Sequence, residues 1–390
     1  MPCVAPRRDP DQAGAEDVVL APGRCGVHVF SLPAGHPTPA TRPVLRQSLT
    51  AVLLALAAAG CRTASPQPAP RPAADAGSPD SGYVAYVSGS RSDAVTTPLG
   101  GAFLAGGGTD SDAGMQWLLA QGGRQAQARF GDVVVLRASG ADGYNRYLTD
   151  LGAHSVTSIV VTSVAGANSA YVREAIAKAE VVFIAGGDQS RYVRFWQGTA
   201  LQAAVNARIA AGYPIGGTSA GLAVMGEHVY SSLNLSSTSA ALLANPYDSS
   251  ATFARSLFTV PLLRDVITDS HFVVRNRLGR TVAFLARLQQ DGSAAAPRAI
   301  AVDEESALGV TPDGHGTVFG RGAGVYFLGA SSAGSRRCER GVALSMAPVT
   351  TYHVPVGASF DLRTWTTSAA VPYTLSAAAG VLTSSTGAIY

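Results

Sequence analysis

Three short apolar runs in this chain of 390 residues stop abruptly on glycine. Gly101-Ala102-Phe103-Leu104-Ala105 runs into Gly106-Gly107-Gly108. Val181-Val182-Phe183-Ile184-Ala185 runs into Gly186-Gly187-Asp188. Tyr213-Pro214-Ile215 leads into Gly216-Gly217-Thr218-Ser219-Ala220-Gly221. Continuous apolar runs separated by helical stretches belong to a parallel sheet covered on both faces. The predicted class is α/β. In such sheets the site lies beyond the carboxyl ends of the strands, so these three glycine turns are placed to converge.

Around them the pattern alternates. Strands are expected at Tyr83–Val87, Asp132–Leu136, Val156–Thr162, Val266–Asp269 and Ile300–Val302. Helices are expected at Tyr144–Leu151, Ala170–Ala179, Leu201–Ala211 and Phe272–Leu288. Asn168-Ser169 is a candidate cap for the second helix, in which Glu174 and Lys178 stand four apart in the order that favours an ion pair. Residues 230–256 read as an irregular insertion and Gln289–Pro297 as a polar loop. Residues 316–390 read as antiparallel strands that complete the sheet or pack on its edge.

Gly217 to Gly221 spell G-x-S-x-G, the spacing of a nucleophile elbow. A sharp strand-to-helix turn holds such a serine in a sparsely populated backbone region. Side chains at the flanking positions would strike the neighbouring strand and helix. The helix that follows offers free N–H groups to a developing oxyanion.

Hydrophobic residues make up 47% of the chain and charged residues 14%, which suits a buried core and argues against disorder. A net charge of +3 gives no ground for a nucleic-acid partner. Cys3, Cys25, Cys61 and Cys338 show no metal-ligand spacing. The apolar run Leu49–Ala59 follows Arg42 and Arg46 and ends on small residues, as a secretory signal does. Leu56-Ala57-Ala58-Ala59-Gly60-Cys61 resembles a bacterial lipobox, which implies acylation of Cys61 and a lipid anchor in the cell envelope, in the outer membrane by preference, with secretion as the alternative. Residues 1–60 are thus expected to be a leader with a mis-assigned start, the true one lying near Val44. Residues 61–81, with prolines at 66, 68, 70, 72 and 79, form a spacer. The folded domain is expected from Gly82 to Tyr390.

A serine needs a base, and the base an orienting acid. Among seven histidines, His271 stands at the end of a strand, in Asp269-Ser270-His271-Phe272. It is the candidate base, with a helix-capping histidine as the competing reading. Asp303, Glu304 and Glu305 follow Ile300–Val302 and compete for the acid.

Four segments together resemble the cyanophycinase branch of the serine peptidases that include aspartyl dipeptidase. They are Gly186-Gly187-Asp188-Gln189, Gly217-Thr218-Ser219-Ala220-Gly221, Asp269-x-His271-Phe272-x-x-Arg275-x-Arg277-x-x-Arg280, and Val302-Asp303-Glu304. The resemblance covers roughly residues 83–330. It implies a doubly wound, mostly parallel sheet related to class I glutamine amidotransferases. It implies hydrolysis of cyanophycin, a polyaspartate with arginine side branches, at its aspartyl backbone to β-Asp-Arg. By the resemblance Ser219 is the nucleophile, His271 the base and Glu304 its acid. The N–H groups of Gly187 and Ala220 are the oxyanion donors. Gln189, Asp269, Ser270, Arg275, Arg277 and Arg280 line the substrate pocket, with Ser270 standing where the family usually has Gln. Arginine forks suit substrate carboxylates, and Asp269 a substrate guanidinium. No metal or organic cofactor is implied, and a homodimer is compatible with the sequence. The order Ser…His…Glu differs from that of α/β-hydrolases. A dipeptidase for short Asp-X peptides and an inactive envelope binding protein are the competing readings.

Overall fold

The computed structural model describes residues 74–125 and 129–390. The expected leader, Cys61 and most of the spacer lie outside the described residues. The fold extends upstream of Gly82. Strand β1 (Ala76–Ser78) pairs antiparallel with β2 (Tyr83–Gly89), and Asp75 accepts a hydrogen bond from Val87 N at 2.8 Å.

The chain continues through β3 (Ala102–Ala105), α1 (Asp112–Gln121), β4 (Asp132–Arg137), α2 (Gly143–Asp150), β5 (Ser155–Val161), α3 (Val164–Ala167), α4 (Ala170–Lys178), β6 (Val181–Ile184), α5 (Gln189–Trp196), α6 (Ala200–Ala210) and β7 (Ile215–Thr218). Then come α7 (Ala220–Ala223), β8 (His228–Tyr230), α8 (Ser239–Ala244), β9 (Phe253–Arg255), β10 (Val266–Asp269), α9 (Leu278–Gln290) and β11 (Arg298–Val302). The remaining strands are β12 (Ser306–Val310), β13 (His315–Gly320), β14 (Val325–Arg337), β15 (Ser345–Val354), β16 (Ser359–Asp361), β17 (Tyr373–Ala378) and β18 (Val381–Ser384).

Among the described residues the strands form two sheets. The first has the order β1-β2-β5-β4-β6-β7-β3-β12-β13-β16. Its centre, β5-β4-β6-β7-β3, is parallel throughout. Every residue of β3, β4, β6 and β7 is buried, which explains why β3 and β6 read as unbroken apolar runs and β4 as one between Asp132 and Arg137. Alternate side chains serve two cores. Phe103, Val133, Val135 and Phe183 share one with α1 and α2. Leu104, Val134, Leu136 and Ile184 share the other with α4, α5 and α6.

The second sheet has the order β18-β17-β15-β14-β11-β10-β8-β9. Strands β8, β10 and β11 are parallel and the rest antiparallel. The C-terminal strands therefore divide. β12, β13 and β16 extend the first sheet, while β14, β15, β17 and β18 build the second. Residues 303–305 carry the chain from β11 in one sheet to β12 in the other.

Local departures have local causes. The helix expected from Phe272 starts at Leu278, because His271 and Asn276 both take positive φ, 47° and 49°, and the amides of Val273 and Val274 are drawn to Asp303 Oδ1. Asn168 caps α6 rather than α4, accepting from Ala200 N at 2.9 Å. Glu174 lies 3.7 Å from Arg173 Nη2. The insertion at 230–256 holds α8 and β9. Helices α1 and α5 were not expected; α1 places Gly114 against Phe103, where a Cβ would sit 3.0 Å from the ring. Among the described residues no helix is long and apolar enough to cross a membrane.

Candidate active site

The register of the first sheet sets Ala105 beside Thr218, and Ile184 beside Gly217. The three glycine turns that leave β3, β6 and β7 are therefore neighbours. Ser219 follows β7 at φ 52° and ψ −115°, well outside the regions open to ordinary residues. The two flanking glycines make that turn possible. A Cβ on Gly217 would lie 2.6 Å from the Gly221 backbone, and one on Gly221 2.0 Å from Ile184 O.

The second sheet delivers its strand ends to the same place. His271 follows β10 and Glu304 follows β11, two parallel neighbours. Ser219 Oγ and His271 Nε2 are 2.6 Å apart, and His271 Nδ1 and Glu304 Oε1 are 2.6 Å apart. The histidine side chain is 5% exposed, so its partners are the protein's own. Burial first, then the charges of Arg275 and Arg277, pushes the imidazole down to about 3. The ring is neutral near neutral pH. A neutral ring beside a carboxylate carries its proton on Nδ1, which leaves Nε2 to accept from Ser219.

The three acids after β11 separate by their contacts. Asp303 is buried and accepts from Val273 N and Val274 N. Glu305, at φ 56°, pairs with Arg321 at 2.7 Å. Glu304 faces His271.

The turn Gly106-Gly107-Gly108 lies against this assembly. Gly106 O accepts from His271 N at 2.9 Å, and Gly107 O from Glu305 N at 2.8 Å. A Cβ on Gly107 would lie 2.3 Å from His271 Cε1, and one on Gly108 3.3 Å from Glu304 Cβ. The glycines are thus the plate behind the histidine ring. The sequence signals their place beyond β3 but not this role. We expect Gly107→Ala to push the ring off its line and lower kcat/KM by about 10²-fold, the cost of a displacement near 1 Å. The φ of 99° adds strain, so a fall in Tm should accompany it. Wild-type kcat/KM in this variant would refute the contact.

The other expected site residues fall into two groups. Gly187 is exposed in the turn after β6, and its neighbour Gly186 lies beside Ser219, where a Cβ would be 3.5 Å from Ser219 Cβ. Ala220 opens α7, and Gln189 opens α5. Arg275 is half-exposed, with Nε 3.8 Å from Glu304 Oε1. The second group is turned inward. Asp269 and Arg280 are 4% and 3% exposed at their side chains and pair with each other. Arg280 Nε donates to Asp269 Oδ2 at 2.8 Å, its Nη2 to Oδ1, and its Nη1 to Ser237 O at 3.1 Å. Ser270 is buried, and its carbonyl accepts from Arg277 Nη1 at 2.8 Å. The expected pairing of Asp269 with a substrate guanidinium therefore meets an arginine already in that position. His228 stands at the start of β8, in register with Ile267 of the neighbouring β10 rather than at the strand ends.

Residues 141–312 match the family model of Peptidase family S51. The matched stretch is less than half of the chain. The matched stretch contains Ser219, His271 and Glu304 and leaves out β3 with its glycine turn. Cyanophycinase from Trichormus variabilis is 29% identical over 181 residues, 46% of this chain and 55% of the relative. Cyanophycinase from Synechococcus elongatus is 30% identical over 182 residues, 46% of this chain and 51% of the relative. The chain spans about half the length of the curated relatives it matches. Among solved structures, a peptidase from an acI-B1 Actinobacterium is 16% identical with a TM-score of 0.44, over 67% of this chain and 97% of that one. The strands after residue 312 lie outside the matched segment.

Proposed function

We propose that this chain is a serine peptidase of family S51 that hydrolyses the aspartyl backbone of cyanophycin to β-Asp-Arg dipeptides. The observation that carries the reading is the unbroken chain of hydrogen bonds from Ser219 Oγ through His271 to Glu304, at 2.6 Å each. In this reading Ser219 Oγ attacks the scissile carbonyl while its proton passes to His271 Nε2. Glu304 steadies the imidazolium, and the N–H groups of Gly187 and Ala220 receive the oxyanion. The imidazolium then protonates the leaving amine. Water, deprotonated by the same nitrogen, releases the acyl group from Ser219. The names of the curated relatives support cyanophycin as substrate. Arg275, half-exposed beside Glu304, supports recognition of an acidic peptide.

Incubation of the full chain with insoluble cyanophycin and, separately, with α-Asp-X dipeptides tests the reading by mass spectrometry of the products. Release of β-Asp-Arg is the expected result. Cleavage of dipeptides alone would move the chain to exopeptidase work, and turnover of neither would leave a binding protein.

The pH profile follows from the buried histidine. His271 must be neutral to act as base, so kcat/KM should fall only at a pH well below the ordinary histidine value of 6.5. Arg275 disfavours the imidazolium. Arg275→Gln should therefore move the acid limb upward, by an amount that shrinks as salt is added. An unmoved limb would show that Arg275 does not act on His271.

We also propose the doubly wound, class I glutamine amidotransferase-like arrangement for the first sheet, supported by its parallel centre and its two helix-lined cores. A lipid anchor at Cys61 is a further proposal, supported by the lipobox-like stretch. Fatty-acid labelling lost in Cys61→Ala would sustain it, and labelling that persists would not.

A further inference from the structure

Helix α9 begins without a cap of its own. Its N-cap residue is Arg277, whose side chain makes no capping hydrogen bond. A guanidinium has no acceptor for the first free N–H groups of a helix. Two hydroxyls from elsewhere in the fold stand in for one. Ser239 Oγ, from the start of α8, accepts from Arg280 N at 3.1 Å and donates to Asn276 O. Tyr390 Oη accepts from Leu278 N at 2.9 Å and lies 3.1 Å from Asn276 Oδ1, an acceptor for its proton. Burial pushes the Tyr390 hydroxyl up to about 12, so the proton stays on.

The tyrosine ring adds a second hold. It meets Phe272 and Tyr326 edge-on, with ring centroids 5.8 Å and 6.0 Å away. Phe272 follows His271 directly, and Leu278 follows Arg277 directly. One side chain thus touches both ends of the turn that carries His271 and Arg275. Three backbone hydrogen bonds close the turn from within, Arg275 N to His271 O at 3.0 Å, Asn276 N to Val273 O at 2.9 Å and Arg277 N to Phe272 O at 2.9 Å, but its residues are poorly suited to the conformation they hold. His271 and Asn276 are both left-handed, and Val273 and Val274 are β-branched.

We propose that Tyr390 is a positioning residue for His271: its hydroxyl caps α9, its ring backs Phe272, and together they hold the imidazole between Ser219 and Glu304. The inference rests on the peptidase reading for its functional consequence. It assigns a task to a residue far beyond the segment that matches the family.

The test compares the full chain as wild type, Tyr390→Phe and Tyr373→Phe. Tyr373 supplies the control, since its buried hydroxyl has no hydrogen-bond partner. Two readouts are taken: the rate at which a fluorophosphonate probe modifies Ser219 across pH, and hydrogen exchange over residues 271–280. We expect Tyr390→Phe to slow modification by about tenfold, the order expected when the base is displaced by a fraction of an ångström. We also expect it to raise the acid limb, as the imidazole gains water, and to speed exchange at Leu278. Tyr373→Phe should change none of these. A lower Tm with unchanged modification rate and acid limb would reduce Tyr390 to a stability role and overturn the proposal. If wild-type Ser219 resists the probe, the peptidase reading falls on its own. Exchange then judges the cap: unchanged protection at Leu278 overturns it, and a loss confined to 271–280 sustains it.

Discussion

Ser219→Ala is expected to lower kcat/KM on any peptide substrate by about 10⁴-fold or more, since removal of a triad nucleophile leaves only binding and oxyanion stabilisation. The fold should tolerate the change. Alanine keeps the Cβ, so the backbone at φ 52° and ψ −115° is no more strained than before. What is lost is one hydrogen bond to a neutral imidazole, about 1 kcal/mol. Ser219→Gly gives the complementary result. Glycine adopts that backbone without penalty, so this variant should be as inactive but more stable than Ser219→Ala, by about 1 kcal/mol or more. Kinetics and urea melts on the pair separate the chemical part of the serine from the cost of holding it there. Residual activity near wild type in either variant would remove Ser219 from the mechanism.

Arg280→Met should produce the largest loss of stability, about 3–5 kcal/mol at neutral pH, because it leaves the Asp269 carboxylate buried without its main partner. Burial alone would push Asp269 up, but the charge and hydrogen bonds of Arg280, followed by Arg277, hold it below the ordinary carboxylate value. The sign follows from that. In the wild type the depressed group contributes stability that is present above the carboxylate range and is lost as pH falls. In the variant the same carboxyl prefers its proton, so acid relieves the penalty. The gap between the two urea midpoints should close as pH drops. A second change, Asp269→Leu in the Arg280→Met background, should recover most of the loss, since apolar residues of similar size often replace a buried pair well. A gap independent of pH would mean that packing around the methionine, not the orphaned charge, sets the cost.

Position in the chain carried much of this architecture. The runs ending at Ala105 and Ala185 mark strand ends, because a strand buried on both faces is apolar along its length and glycine marks where it stops, whereas the run ending at Ile215 only opens β7, which holds Gly216 and Gly217 inside it. Ser219 and His271 could be placed at such ends from the text alone. The acid could not be chosen. Asp303, Glu304 and Glu305 are chemically equivalent on paper, and their contacts with the Val273–Val274 amides, His271 and Arg321 are tertiary. The same limit applies to Asp269 and Arg280. Charged residues in a recognisable motif read as ligands for a substrate, whereas here two of them neutralise one another. Tyr390 carries no local signal, since a phenol acts as a cap only once the fold brings it to a helix start. The second sheet was missed for a related reason. Alternating runs after residue 316 announce strands, but not which sheet each will join.

The crossing at residues 303–305 bears on how the chain is made. Synthesis releases Ser219 first, inside a sheet that can already close around it, then His271, and only later the acid, on the linker that ties one sheet to the other. Gly106 N binds Ser306 O across that linker, and His271 N binds Gly106 O. The reactive serine therefore waits without a competent partner until both sheets have docked. A half-synthesised chain would be chemically silent.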